Sequence, residues 1–240
     1  MLRLALCLAV LPVTASASSC RDAIFDGTSY TLCEVTLADD LRLFHSGPEG
    51  AYGSFRAVDA ALAAEGMQLG FAMNAGMYHR DLAPVGLYIE EGVEAQGIIT
   101  SDGPGNFGLL PNGVFCISDS FRVIESRAFK KDAPDCRFAT QSGPMLVIDG
   151  KLHPKFLQDS DSTYIRNGVG VSEDGSRAVF AISNTPVNFH SFARLFRDEL
   201  GLPNALYFDG SISRLFAPQL DRHDAGFPMG PIVGTVIPQG

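Results

Sequence analysis

Apolar residues along this chain fall into short runs separated by tight-turn residues, with a few longer stripes at helical spacing. Residues 41–44, 68–73 and 85–89 read as strands, the last turning at Glu90-Glu91-Gly92. Gly113–Ile117 and residues 121–124 read as a hairpin across Ser118-Asp119-Ser120. Met145–Ile148 is closed by Asp149-Gly150, a strong hairpin signal, and leads into Lys151 and Leu152. Val169 and Val171 alternate, Glu173-Asp174-Gly175 turns, and residues 178–182 return. The C-terminal PIVGTVIPQG predicts a last short strand with a tail. Phe55, Val58, Ala61 and Leu62 share one helical face, which Gly66 can end. A second helix is expected after the cap residue Asn188, with Phe189, Phe192, Ala193, Phe196 and Leu200 as its stripe and Gly201 and Pro203 as its stop. Residues 205–208 then form a buried strand running into Asp209-Gly210-Ser211. Strands do not alternate regularly with helices. The expected class is therefore α+β: a single domain with a largely antiparallel β-sheet and a few packed helices.

The first residues have a different character. Arg3, an apolar stretch over residues 4–13 and Ala15-Ser16-Ala17 follow the charge–apolar–small order of a secretory leader. Cleavage after Ala17 makes residues 1–17 the leader and 18–240 the domain, exported to the periplasm or the extracellular space. An alternative is lipid attachment at Cys20. Cleavage removes Cys7 and leaves Cys20, Cys33, Cys116 and Cys136. An even count in an exported chain favours disulfides, and the local pairs Cys20–Cys33 and Cys116–Cys136 straddle strand–turn regions. Four buried thiols are the alternative, and the absence of a CxxC pair disfavours zinc. The net charge of −9 repels nucleic acid, and no second apolar segment is long enough to anchor the mature chain in a bilayer. The same charge repels acidic substrates at long range, so an anionic ligand would need a local cationic pocket.

Four strand ends combine polar side chains with glycine: Asn74-Ala75-Gly76, Gln141-Ser142-Gly143-Pro144, Arg166-Asn167-Gly168 and Asp209-Gly210-Ser211. Glycine there lets a ligand approach the backbone, so the four could form one rim; ordinary turn chemistry is the alternative for each alone. The segments MNAGMYHRDLAPVGLYIEEG, NFGLLPNGVFCI, ATQSGPMLVIDGKLHP and RNGVGV through FDGSISRLFAP resemble the phosphodiester glycosidase family, which includes bacterial exopolysaccharide-biosynthesis homologues. The likeness runs from about residue 41 to 236. It rests on the order Asn-x-Gly, Gly-Pro, Arg-x-x-Val-Gly and Asp-Gly. Many members carry Asn-Gly-Gly-Phe-Phe and Asp-Gly-Gly-x-Ser, where this chain has Asn74-Ala75-Gly76-Met77-Tyr78 and Asp209-Gly210-Ser211-Ile212-Ser213. The resemblance implies hydrolysis of a sugar 1-phosphodiester at the anomeric carbon.

Ordinary glycosidases use two carboxylates, one to protonate a poor leaving group. A phosphodiester leaves as a stable anion, so one well-placed acid among hydrogen-bond donors is enough. Asp209 is the expected nucleophile or general base; holding sugar hydroxyls or a metal is its alternative role. Arg166 is expected to fork onto phosphate, or alternatively to bridge Asp209. Asn74 and Gln141 would hold sugar hydroxyls, or else satisfy turn backbone. Ser142, Ser211 and Ser213 would donate to phosphate, and His190 would contact phosphate or act as an acid. Gly76, Tyr78, Gly143, Asn184 and Gly210 complete the expected rim, with His79 at its mouth. His45, His153 and His223 are too dispersed to suggest a metal cluster. The residues require no cofactor, while a divalent ion beside Asp209 stays open. The expected partner is a carbohydrate or glycosyl phosphate, with a noncatalytic glycan-binding or envelope-assembly role and a metal-dependent phosphodiesterase as competing readings.

Overall fold

A computed structural model describes residues 19–240; the leader expectation for residues 1–17 falls outside them. Three antiparallel sheets dominate. The seven-stranded sheet runs, from edge to edge, Ser19–Phe25, Thr28–Thr36, Arg177–Ser183, Asn167–Val171, Asn204–Asp209, Met145–Ile148 and Lys151–Leu152. A five-stranded sheet has the order Phe121–Glu125, Gly113–Ile117, Phe138–Ser142, Tyr88–Glu90 and Val93–Gln96. A second is built from Arg222–His223, Leu215–Ala217, Met67–Asn74, Ile232–Pro238 and Asp40–Phe44. The α+β expectation holds, and the three sheets enclose one core.

Phe180 is where the sheets meet. Its ring lies 5.3 Å from Phe71, 5.7 Å from Phe115 and 6.4 Å from Phe208, one from each sheet. All four rings are buried. A buried aromatic of this kind is worth about 3–5 kcal/mol against truncation, so this contact orients the sheets relative to one another.

The outer face of the seven-stranded sheet is covered by helix Phe189–Arg194, which continues as a π-helical turn, Leu195–Glu199. Asn188 caps it by accepting the Ser191 N–H at 2.8 Å. The glycines of Asn167–Val171 explain the close approach: Val169 and Val171 face the common core, while Gly168 and Gly170 face outward. A Cβ at Gly170 would sit 2.7 Å from both Leu202 and Phe196.

Two features were not read from the sequence. The first hairpin is built around Asp26-Gly27, both at positive φ, as a two-residue hairpin turn requires. Helix Ser126–Asp132 is too short to show a periodic stripe, and Glu125 caps it. The strand expected at 85–89 is shorter and later, at Tyr88–Glu90. Both expected disulfides are present, Cys20–Cys33 and Cys116–Cys136. The first leaves Cys20 no thiol for a lipid thioether, which removes the lipid-anchor alternative.

Gly170→Ala is expected to lower stability by about 1–3 kcal/mol through overpacking against the helix. The shift in urea midpoint at constant slope measures it; an unchanged midpoint would mean that the helix yields without cost.

Candidate active site

Asp209 ends the strand Asn204–Asp209 and opens a loop that returns at Leu215. Asn167 pairs with Asp209 and Gly168 with Tyr207, so Phe208 is the extra residue of a β-bulge. Bulges re-aim the side chains beside them. The loop folds back on the acid: Asp209 Oδ1 accepts the N–H groups of Gly210 at 2.6 Å and Ser211 at 2.9 Å.

Two buried asparagines from different sheets hold this loop. Asn167 Nδ2 donates to the Asn74 carbonyl at 2.8 Å and to Asn74 Oδ1 at 3.1 Å. Asn74 Nδ2 donates to the Ile212 carbonyl at 2.6 Å, and Asn74 Oδ1 accepts the Arg214 N–H at 2.9 Å. Asn167 Oδ1 accepts the Asp209 N–H at 3.2 Å and the Ser213 hydroxyl at 3.3 Å. Ser213 Oγ also lies 2.7 Å from the Asp209 carbonyl and 3.0 Å from that of Ile165. Asn74 and Ser213 are therefore the scaffold of the loop, which is the alternative role considered for Asn74.

Arg166 is 1% exposed. Its Nε donates to the Val187 carbonyl at 2.8 Å, Nη2 to the Ser162 carbonyl at 3.0 Å and Nη1 to the Tyr207 hydroxyl at 3.3 Å. The guanidinium lies 3.7 Å over the Phe189 ring, with Tyr164 and Tyr207 beside it. Among the described residues no carboxylate pairs with it. The bridge to Asp209 is not formed, and the fork expected to grip phosphate is held by carbonyls and a phenol instead. Arg166 and Asp209 are nonetheless neighbours through Tyr207, whose pKa burial raises first of all, with Arg166 lowering it and Asp209 raising it further. Gly210 closes the gap, since a Cβ there would lie 2.0 Å from the Tyr207 hydroxyl and 3.7 Å from Arg166 Nη1.

The other expected rim residues divide. Tyr78 lies near the acid, its hydroxyl donating to the Pro228 carbonyl at 3.0 Å. Ser211 is exposed at the loop tip. Ser142 is buried and ties its strand to the Phe208 carbonyl at 2.7 Å. Gly76 and Gly143 permit close approach, to Thr140 and to Asn112. Gln141 is corrected from sugar ligand to strut: its buried amide accepts the Leu87 and Ile99 N–H groups and donates to the Ile99 carbonyl and Ser126. Asn184 accepts from Thr31 and Arg222 and donates to Ser29. His190 is half-buried on the helix, next to Phe189. No role was read from the sequence for Tyr207 and Asn167, which the structure places beside the acid. The i, i+2 spacing of Tyr207 and Asp209 was the available signal, masked by the apolar run around Tyr207. Size does not mark the site: a depression of about 550 Å³ lies at the other end of the strands, between Gly150, Val171, Gly175 and Asn204.

The family model for phosphodiester glycosidases matches residues 68–226, about two-thirds of the chain. The chain belongs to the phosphodiester glycosidase family. It is 36% identical over 219 residues to the uncharacterized protein YigE of Escherichia coli K12, covering 89% of this chain and 84% of that protein. The catalytic domain of zebrafish N-acetylglucosamine-1-phosphodiester alpha-N-acetylglucosaminidase has the same fold, with a TM-score of 0.65 over 93% of this chain and 85% of that one, at 13% identity. As a phosphodiester glycosidase the protein is a hydrolase. Asn74, Arg166, Asn167, Tyr207 and Asp209 all lie within the matched segment.

In this phosphodiester glycosidase burial raises the Asp209 pKa, opposed by the N–H groups of Ser211, Gly210 and Ile212. A carboxyl whose pKa is higher folded than unfolded contributes stability that is present below the unfolded pKa. That stability is lost as pH rises through the folded value. Ionised Asp209 is thus a cost at neutral pH. Asp209→Asn keeps an acceptor for the loop amides and should melt higher than the parent at pH 7. The advantage should vanish near about pH 3, where the parent carboxyl is also neutral. Thermal melts at both pH values read this; a lower melting temperature at pH 7 would mean that the charge holds the loop. Asn167→Leu orphans several buried groups and should cost roughly 3 kcal/mol in urea unfolding.

Proposed function

We propose that this protein is an exported hydrolase that breaks the anomeric C–O bond of a sugar 1-phosphodiester in a glycan or cell-envelope polymer. The observation that carries the reading is one half-buried carboxylate, fixed in a clamped loop, beside a buried guanidinium that has no carboxylate partner among the described residues. Among the described residues the Asp209 carboxylate accepts only backbone N–H groups, and no second carboxyl bonds to it. This suits a leaving group that departs as an anion and needs no proton from a partner acid. Asp209 attacks C1 as the C1–O electron pair leaves with the phosphate, giving a glycosyl ester and a phosphomonoester. Water then hydrolyses the ester and returns the carboxylate. Arg166 acts from below. It is a fixed positive charge in a region of low dielectric, relayed through the Tyr207 hydroxyl toward the developing phosphate charge. Tyr78, Ser211 and His190 are assigned to the substrate side of the rim. Two disulfides support an oxidising compartment, periplasmic or extracellular.

The test is turnover of α-linked sugar 1-phosphodiesters in oxygen-18 water. Label is expected in the released sugar, and Asp209→Asn should lose about 10²–10⁴-fold in kcat. Since the nucleophile must be ionised, activity should fall in acid, with an apparent pKa above that of an ordinary aspartate. Label in the phosphate would instead indicate P–O cleavage, and unchanged turnover in the variant would remove Asp209 from the chemistry.

A further inference from the structure

A cavity of about 510 Å³ lies between helix Phe55–Ala63 and the chain from Arg214 to Met229. One wall is apolar, formed by Phe55, Phe216 and Met229. Two guanidiniums line it, Arg56 and Arg214. The Arg56 guanidinium has no hydrogen bond or ion pair to another described residue, and the Arg214 side chain is held by the Phe227 carbonyl and no carboxylate. Two acids also line it, and only Asp224 is ion-paired. Asp59 accepts the Leu69 N–H at 2.8 Å. Asp224 is paired with Arg222 at 3.0 Å and accepts the Leu215 N–H at 3.0 Å. Because Arg222 offsets Asp224, the three guanidiniums and two carboxylates here leave one net positive charge in a chain of net charge −9, and local positive charge is what would draw an anion to this surface.

The cavity reaches the Asp209 loop through Arg214. Arg214 follows Asp209 by five residues, and its N–H is gripped by the same Asn74 that holds the rest of the loop. The chain from Gly226 to Gly230 touches both Arg214 and Tyr78. Arg214 lies against Gly226 and bonds Phe227, while Tyr78 bonds Pro228 and packs on Gly230. The Tyr78 hydroxyl is influenced by both sides, its pKa raised by burial and by Asp209 and lowered by Arg214.

We propose that this cavity is the subsite for the aglycone, the group on the far side of the phosphate, and that it takes an aglycone with an apolar ring and an anionic charge. Its place in turnover rests on the hydrolase reading above. The Phe55, Phe216 and Met229 wall holds the ring, Arg214 faces the end nearer the scissile phosphodiester, and Arg56 meets the charge at the open end. Part of the binding energy would then come from the leaving group, and substrates with a small neutral aglycone would forgo it.

Phenyl phosphate supplies a ring and an anion, inorganic phosphate the anion alone. Calorimetry on the oxidised protein should find phenyl phosphate the tighter ligand. Its affinity should fall about tenfold in Arg56→Gln, as loss of a charge-assisted contact predicts. Arg56 is exposed, so the variant should fold, and a matching melt would verify it. Equal affinity for the two ligands, or the same phenyl phosphate affinity in the variant, would overturn the proposal. A kinetic arm separates it from the hydrolase reading, using one sugar phosphodiester with a methyl and one with a carboxyphenyl aglycone. Arg56→Gln should raise KM for the second about tenfold and leave the first unchanged. If the parent turns over both and the variant shifts neither, the subsite fails while the hydrolase stands. If the parent turns over neither, the hydrolase reading fails and calorimetry alone judges the cavity.

Discussion

The Asp209 loop depends on a pair of buried side-chain amides. Asn74 ends a strand of one sheet and Asn167 begins a strand of another, and they bond to each other and to the loop between them. Buried amides are costly unless satisfied, because water is no longer there to compensate. Here nearly every donor and acceptor has a protein partner, so the pair acts as a two-sided clamp. The Asp209 loop cannot shift without orphaning groups on both sheets. Phe180 works at a larger scale: it joins the sheets through rings, and the amides fix their relative position at the site.

Arg166 poses the opposite problem. A buried guanidinium without a carboxylate is expensive, and burial indeed lowers its pKa. Carbonyls of Val187 and Ser162, the Tyr207 hydroxyl and the face of Phe189 offset part of that cost. None of them cancels the charge. Replacing such a cation by an apolar residue is often neutral or stabilising, and here the unneutralised charge lies close to the loop that clamps Asp209. Its position below Tyr207 also explains why Gly210 must be small: any side chain there would displace the phenol.

Much of this was legible in the residues. Turn pairs, alternating valines, the capped helix and the local cysteine pairs describe near-neighbour physics, and they appear where expected. Asp209 stood out because an acid follows an apolar strand into a Gly/Ser turn. The destinations of side-chain amides did not show. Gln141 and Asn184 resemble rim residues in sequence, but Gln141 reaches Ile99 and Ser126, and Asn184 reaches Arg222, through contacts made only by the folded sheets. Tyr207 was hidden for a different reason: its ring belongs to the core and only its hydroxyl to the site. The bulge at Phe208 that re-aims Asp209 depends on pairing with Asn167, which local pattern cannot report.

The Cys20–Cys33 bond joins residues that already face each other across the first hairpin, Cα atoms 4.0 Å apart. Its strand, Ser19–Phe25, is the outer edge of the seven-stranded sheet and is largely exposed. An open edge is a template on which another chain can add a strand, and an edge strand that peels away uncovers the next one. Bonded to its neighbour, Ser19–Phe25 cannot peel off to expose Thr28–Thr36 or trade places with the same strand of a second molecule. The cross-link therefore guards the sheet against strand exchange and edge-to-edge aggregation, a protection that lapses wherever the surroundings are reducing.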